Sequence, residues 1–543
     1  MADKKQTLRR YILIGTDAPT GAPFAAATFN ASAEMVAVKP RPQAVSAPEM
    51  RVLAELHGGA SKLVEMSAEG ELSLRISDPG LKIVPEVIYH RQWQRFRVHS
   101  RPPKTKAQAA RTKAAKAAKG KKSKAKAAGT RVSAAATAVA AAAFSITVTR
   151  ASDGTPVAGC NVVAFTNFAA RVGANGTTAA SGRASMSGLS PGQHLERVYI
   201  YPPAGVWGFF ASDTTGSQVS NVKLPDIDVK DPKLLLTQLY GSLPINAGDG
   251  ITVGIIDSGI DATHPDLPNV TGGLNCVSAE VIADPAAKVN FGPALIEGEH
   301  GTHVAGIIGG RGTTSGFRGV APGVKMRSYR VFPNEAASDG SHGASNFDIV
   351  QAIDTAVADG CDIINMSLGG SGRDDVTDAA IDRAIAAGVV VVVAAGNANR
   401  APVYFPAAYP PCVAVAAMGR IGSFPKTSIG TSDIATPRGV PGSQDFVADF
   451  SNIGPEIDIT GPGVAIVSTL PGTSHGAMNG TSMACPAVTG FVAFLLSSDP
   501  GLKQKTGAER SRAVKDALYA ACKPQGFGRN FEGFGLPLPT AQV

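Results

Sequence analysis

Three short stretches carry residue types that can act together as nucleophile, base and orienting acid. The first is Gly480-Thr481-Ser482-Met483-Ala484-Cys485-Pro486, at the start of a small-residue and apolar run reaching Leu496. A serine there gains from the partial positive charge and free N–H groups of a helix N-terminus, both suited to negative charge near its oxygen. Alone it reads as an ordinary helix cap. In the second, a β-rich run from Ile251 to Ile256 stops at Asp257-Ser258-Gly259. That puts an aspartate at the carboxyl end of a buried strand, where open α/β sheets build their sites, although Asp257 alone reads as a turn former. The third, His300-Gly301-Thr302-His303-Val304-Ala305-Gly306, opens a helical run of small residues that lets His300 approach a neighbouring element. Together they supply a hydroxyl too weakly acidic to attack unaided, an imidazole to take its proton and a carboxylate to fix the imidazole tautomer, the parts of nucleophilic acyl transfer.

The order Asp257, His300, Ser482 and the sequences around each resemble the subtilisin-like serine peptidases over roughly residues 240–500. The resemblance implies a serine endopeptidase with Ser482 as nucleophile, His300 as general base and then acid, and Asp257 as the orienting carboxylate. Asn397 follows the buried-strand run 389–394 and Ala395-Gly396; it matches the family's oxyanion-hole asparagine, whose side-chain N–H would join the Ser482 backbone N–H on the developing oxyanion. Ser367-Leu368-Gly369-Gly370 matches the segment that pairs with an extended substrate backbone, so substrate is expected to bind by strand addition, with Ala395 and Gly396 also lining the cleft. Tyr404 aligns with a pocket-floor position often filled by glycine, which implies a shallow primary pocket. Asp266 matches an aspartate that binds calcium in many relatives. Its partner loop here, Arg311-Gly312-Thr313-Thr314-Ser315-Gly316, has no carboxylate or Asn and brings a positive charge, so calcium is a doubtful ligand and no cofactor is expected. Ala487 stands where relatives often carry a histidine.

The surrounding pattern alternates. Strands are predicted over 324–332, 362–366, 389–394 and 412–417, and helices over 347–359, 376–387 and 508–519. Right-handed crossovers then give a three-layer α/β domain, a parallel sheet covered on both faces.

At 543 residues the chain has length for several domains. The expected division is an inhibitor-like unit at 1–98, a linker at 99–143, a β-sandwich at 144–229, the catalytic domain at 230–530 and a C-terminal tail at 531–543. In the first unit a small α+β pattern is predicted, with strands over 8–14, 71–76 and 81–86 and a helix over 48–57. Its ending, Pro79-Gly80-Leu81-Lys82-Ile83-Val84-Pro85-Glu86-Val87, resembles the end of the inhibitory prodomains of subtilisin-like peptidases, which implies an intramolecular inhibitor whose tail lies in the cleft. Short strands with turns at Ser152-Asp153-Gly154 and Ala174-Asn175-Gly176 indicate the sandwich, and Thr155-Pro156-Val157-Ala158-Gly159-Cys160 resembles carboxypeptidase-regulatory-type domains.

The formal charge of +8 is local: thirteen of the 51 Lys and Arg, and none of the 43 Asp and Glu, fall within 101–150. That Lys/Ala-rich stretch cannot bury a core and reads as a flexible linker. Nucleic acid or another polyanion could bind through 101–131 by counterion release, but no aromatic residue interleaves the lysines and the linker reading is preferred. The apolar run near the N-terminus is too short for a signal-peptide core, and no stretch reads as a membrane span, so a cytoplasmic location is expected, with export by a non-standard route as the alternative. Six scattered cysteines suggest neither zinc nor a disulfide framework.

Overall fold

A computed structural model describes residues 8–14, 50–56, 61–98, 144–335 and 343–539. The linker expected over 99–143 lies outside them. The chain divides into two compact units, one of residues 1–94, 228–424 and 433–543, the other of 95–227 and 425–432.

The first unit is organised by a nine-stranded sheet. Across it run Val270–Asn275, Lys325–Arg330, Thr252–Asp257, Ile363–Met366, Val390–Ala394, Val413–Arg420, Asp445–Ala448 and Ile434–Arg438, with Ile459–Pro462 also pairing to Val413–Arg420. The strands from Val270–Asn275 to Val413–Arg420 are mutually parallel. Val390–Ala394 shows why: four valines and an alanine, all buried, suit a strand covered on both faces. Val391 and Val393 share a core with Phe347, Ile353, Ile381 and Ala384 from the helices Asn346–Ala358 and Asp375–Ala386. The helices Glu299–Gly309 and Thr481–Ser498 pack against each other, and the second contacts Ile363–Met366 and Val390–Ala394. Among the described residues, Thr481–Ser498 is the one helix long and apolar enough to cross a membrane, where no such stretch was expected, and its apolar length is mostly buried in this core. Residues 531–539 do not trail away as the predicted tail. Leu536–Pro537 pairs with Cys522–Lys523, and Leu536 is buried.

The N-terminal part of the same unit is a four-stranded antiparallel sheet, ordered Met50–Leu56, Ser61–Met66, Arg9–Ile14, Lys82–Pro85, with the helix Ala68–Ser77. Two predictions fail here. The helix expected over 48–57 is the strand Met50–Leu56. A register shift between Val52 and Ala54 turns Leu53 and Leu56 toward the same core, and that three-residue spacing imitates a helix. The strand expected over 71–76 is helical. Ser67 caps it, accepting from Gly70 N–H at 3.1 Å, with Glu69 and Glu71 in the first turn and an ion pair from Glu71 to Arg75.

The second unit holds two sheets over one core. Phe209–Thr215, His194–Tyr201, Asn161–Asn167 and Val172–Thr177 form one; Asn221–Leu224, Phe144–Arg150 and Arg183–Met186 form the other. Ile146, Val148, Val162, Val198, Ile200 and Leu224 meet between them. The turn predicted at Ala174-Asn175-Gly176 is strand. The chain reverses instead at residues 168–171, where Arg171 takes φ 55°.

Candidate active site

The carboxyl ends of three adjacent parallel strands deliver the first residues of the site. Asp257 ends Thr252–Asp257, Ser367 follows Ile363–Met366, and Ala395, Gly396 and Asn397 follow Val390–Ala394. Two helix N-termini supply the others. His300 is the second residue of Glu299–Gly309 and Ser482 the second of Thr481–Ser498. Gly301 allows the histidine helix to approach the Asp257 turn, because a Cβ there would lie 2.3 Å from the Gly259 carbonyl oxygen; the Gly301 N–H donates to the Ser258 hydroxyl oxygen at 3.0 Å.

Asp257, His300 and Ser482 are all buried. His300 Nδ1 lies 2.8 Å from Asp257 Oδ1, which also accepts from Ser258 N–H at 2.6 Å. A carboxylate oxygen at that distance requires a proton on Nδ1, so that in the neutral ring it is Nε2 that carries the lone pair. Ser482 Oγ does not bond to that nitrogen. It donates to the Ser367 carbonyl at 2.9 Å, and His300 Nε2 has no hydrogen-bond partner among the described residues. Asp257 Oδ2 and Asn397 Nδ2 are among the other buried atoms that share this condition. Asn397 is nonetheless held, its Oδ1 accepting from Thr481 N–H at 3.0 Å and Thr481 Oγ1 at 2.9 Å.

The cleft contains the chain's own backbone. Ile88–Arg91 lies between two short strands, pairing antiparallel with Ala344–Ser345 through Tyr89 and Ile88 and with Leu368–Gly369 through Arg91 and His90. Gln92 N–H donates to Ser367 O at 3.1 Å and Gln94 N–H to Asn479 O at 2.7 Å. Between them the Gln92 carbonyl oxygen accepts from Ser482 N–H at 2.9 Å, and the Trp93 indole meets the His300 ring edge-on, centroids 5.5 Å apart. Gly480, at φ 156°, makes room for this path, since a Cβ would stand 2.4 Å from Gln92 O. Tyr404 borders the pocket that receives Gln92, beside Gly369 and Gly396. The resemblance of residues 79–87 to a prodomain ending placed a tail in the cleft without saying which of residues 88–94 meet the site. Their one local signal is alternation, Tyr89 and Arg91 buried against exposed Ile88 and His90.

Asp266 offers a test of the calcium site. Its carboxylate accepts from the N–H groups of Thr314 and Ser315, from the Ser315 hydroxyl and from His475 Nε2 at 3.1 Å, and with these partners its carboxyl titrates below the usual range although burial opposes the shift. Asp266, His264 and His475 bring ligand atoms within 4.8 Å of one another. His264 Nδ1, however, already accepts the Asp266 N–H, and its Nε2 lies 3.2 Å from the Ser474 carbonyl. Donors aimed at one carboxylate are the opposite of the oxygen cage that calcium takes, and the site does not fit it. All six cysteines are free thiols; Cys485, three residues from Ser482, is buried against Asn365 and Val392 O, and burial pushes its thiol well above the ordinary range.

Residues 248–535 match the Subtilase family. Over 257 residues, 47% of the chain, there is 36% identity to Subtilisin NAT of Bacillus subtilis subsp. natto and to Subtilisin of Bacillus pumilus, covering 57% of the first and 79% of the second. The Thermostable alkaline protease of Halalkalibacterium halodurans is 35% identical over 253 residues, which make up 47% of this chain and 58% of that protein. The chain thus spans little more than half the length of several relatives it matches.

Proposed function

The chain belongs to the subtilase family, and from that we propose a serine endopeptidase that hydrolyses peptide bonds through Ser482, His300 and Asp257 and is made as a self-inhibited precursor. One observation carries this reading: a peptide carbonyl, that of Gln92, sits on the Ser482 N–H in a cleft that pairs with the peptide on both sides. In the proposed reaction Ser482 Oγ leaves the Ser367 carbonyl and adds to a carbonyl carbon so placed, passing its proton to His300 Nε2. Asp257 holds the imidazole by Nδ1 and stabilises the imidazolium. The Ser482 N–H and Asn397 Nδ2 share the oxyanion, and the unpartnered state of Asn397 Nδ2 supports this, since a donor kept dry and aimed at the site costs no reorganisation when charge develops. His300 then protonates the departing amine, and water repeats the sequence on the acyl-enzyme.

The inhibitor reading of residues 1–98 is supported by the core that Ile12, Leu56, Leu63, Val84 and Tyr89 share with Phe347, Val350 and Tyr409. We assign residues 144–229 a spacer or interaction role as a carboxypeptidase-regulatory-type β-sandwich, which the common core of its two sheets supports.

The test compares the wild-type chain with Ser482→Ala, by casein digestion and by labelling with a serine-directed phosphonylating reagent. Labelling at Ser482 and loss of digestion in the variant are expected. Digestion by the variant within about tenfold of wild type would refute the assignment.

A further inference from the structure

We propose that the chain cuts itself between Gln92 and Trp93, and that the same pockets make it selective, in other polypeptides, for glutamine before the scissile bond with arginine preceding it. The inference rests on the peptidase reading above and adds its bond and its substrate class.

The bond is identified by position. Gln92 is the residue whose carbonyl oxygen meets the Ser482 N–H, and the backbone on either side is fixed, at Gln92 N–H by Ser367 O and at Gln94 N–H by Asn479 O. The carbonyl cannot slide by one residue without breaking the pairing of Arg91 with Leu368 and of His90 with Gly369. Addition of Ser482 Oγ to the Gln92 carbonyl carbon, with its proton passing to His300, is followed by cleavage of the Gln92–Trp93 C–N bond. The Trp93 nitrogen leaves as an amine with that proton. Water then hydrolyses the Gln92 ester, returning the proton to Ser482 and leaving a carboxylate on Gln92.

Selectivity follows from how each side chain is satisfied. The Gln92 carboxamide is nearly buried, and its oxygen and nitrogen are assigned by their partners: Oε1 accepts from Asn397 N–H at 3.1 Å, while Nε2 donates to Gly369 O at 3.0 Å and His90 O at 2.9 Å. A glutamate would set a second oxygen against two carbonyls. A leucine would leave the Asn397 N–H dry and unpaired, and sites that hydrogen-bond a substrate reject the analogue lacking the group far more strongly than apolar pockets reject a change of size. The Arg91 guanidinium reaches Glu297 at 2.5 Å and lies over the Phe332 ring, 4.4 Å from its centroid, with only 4% of the side chain exposed. A desolvated arginine between a carboxylate and an aromatic face is a poor home for a neutral side chain and a worse one for an acid. Tyr89, fully buried with its hydroxyl on Asp374, adds a third anchor.

The experiment has two arms, read beside casein digestion as a control for the peptidase itself. In the first, the full chain and its Ser482→Ala variant are analysed by intact mass and N-terminal sequencing. A fragment beginning at Trp93, present in wild type and absent from the variant, is expected. In the second, the self-processed enzyme is given fluorogenic peptides ending Tyr-His-Arg-Gln, with Gln→Glu, Gln→Leu and Arg→Glu replacements. Each replacement should lower kcat/KM by about tenfold or more, and Glu297→Lys should reverse the Arg-over-Glu preference. Casein digestion with the Gln92–Trp93 bond intact, or with leucine favoured over glutamine, would overturn the proposal and leave the peptidase reading standing. No digestion of any substrate by the wild type would refute both.

Discussion

Ser482 and Ser367 exchange two hydrogen bonds: the Ser482 hydroxyl donates to the Ser367 carbonyl at 2.9 Å, and the Ser367 hydroxyl donates to the Ser482 carbonyl at 3.0 Å. The second bond has a cause in the sequence. Residue 486, four positions on from Ser482 in the helix, is proline and has no N–H to give that carbonyl. Ser367 takes the role, oriented by Asn365, whose Nδ2 donates to Ser367 Oγ at 3.1 Å. The first bond commits the Ser482 hydroxyl to Ser367 rather than to His300 while Gln92 occupies the cleft.

Asn397→Ala should lower kcat by about 10²–10³, the range known for the loss of an oxyanion donor in a subtilisin, with a smaller change in KM. The split in the kinetics is the readout, because Asn397 also holds Thr481 through Oδ1. A merely structural role would change stability and KM while sparing kcat. An unchanged kcat would exclude Asn397 from the oxyanion site.

Legibility in the sequence followed the chemistry. A hydroxyl at a helix start, an aspartate at a strand end and a small-residue histidine helix are demanded locally, so Ser482, Asp257 and His300 could be named with the elements that carry them. The run Val389 to Ala394 announced its burial by composition. The pairing of Tyr89 with Ala344 and of Arg91 with Leu368 spans more than 250 residues, so the resemblance could place a tail in the cleft while its register had no local mark beyond a four-residue alternation. The bulge after Val52 is a tertiary accommodation that shifted the apparent period. Glu297, the partner of Arg91, sits at φ 52° in a loop with no pattern to mark it.

Residues 1–94 supplied as a separate polypeptide should inhibit the peptidase, and Tyr89→Ala should weaken that inhibition by about a hundredfold or more. Backbone pairing in the cleft contributes about 0.5–1.5 kcal/mol per hydrogen bond. Truncating a fully buried aromatic residue costs about 3–5 kcal/mol, so this side chain outweighs any single backbone bond of the strand. Equal inhibition by the two polypeptides would place the affinity elsewhere.

Chelation should leave the melting temperature unchanged within about one degree, because Asp266 is satisfied by Thr314, Ser315 and His475 rather than by a cation. A resident metal at a thousand times its Kd would contribute about 4 kcal/mol, an effect easily seen on adding EDTA. A fall of several degrees, restored by calcium and absent from an Asp266→Asn variant, would reverse the assignment.

Acid should destabilise the fold through His303. Its ring is completely buried, Nε2 lies 3.1 Å from the Gly476 carbonyl, and burial, with His300 and His475 nearby opposing a further charge, pushes its pKa down to about 3. An unfolded histidine titrates near 6.5, so between these values the unfolded chain binds a proton that the folded chain refuses. This group's contribution is therefore complete above about pH 6.5 and declines as pH falls toward the folded value, by up to about 1.4 kcal/mol per pH unit. Urea unfolding of Ser482→Ala, chosen to prevent self-digestion, should show about 2 kcal/mol less stability at pH 5 than at pH 7 from this source. Adding His303→Gln should lower stability at pH 7 through lost packing yet remove that part of the difference. If the double variant loses as much between the two pH values as the parent, the acid sensitivity belongs to other groups.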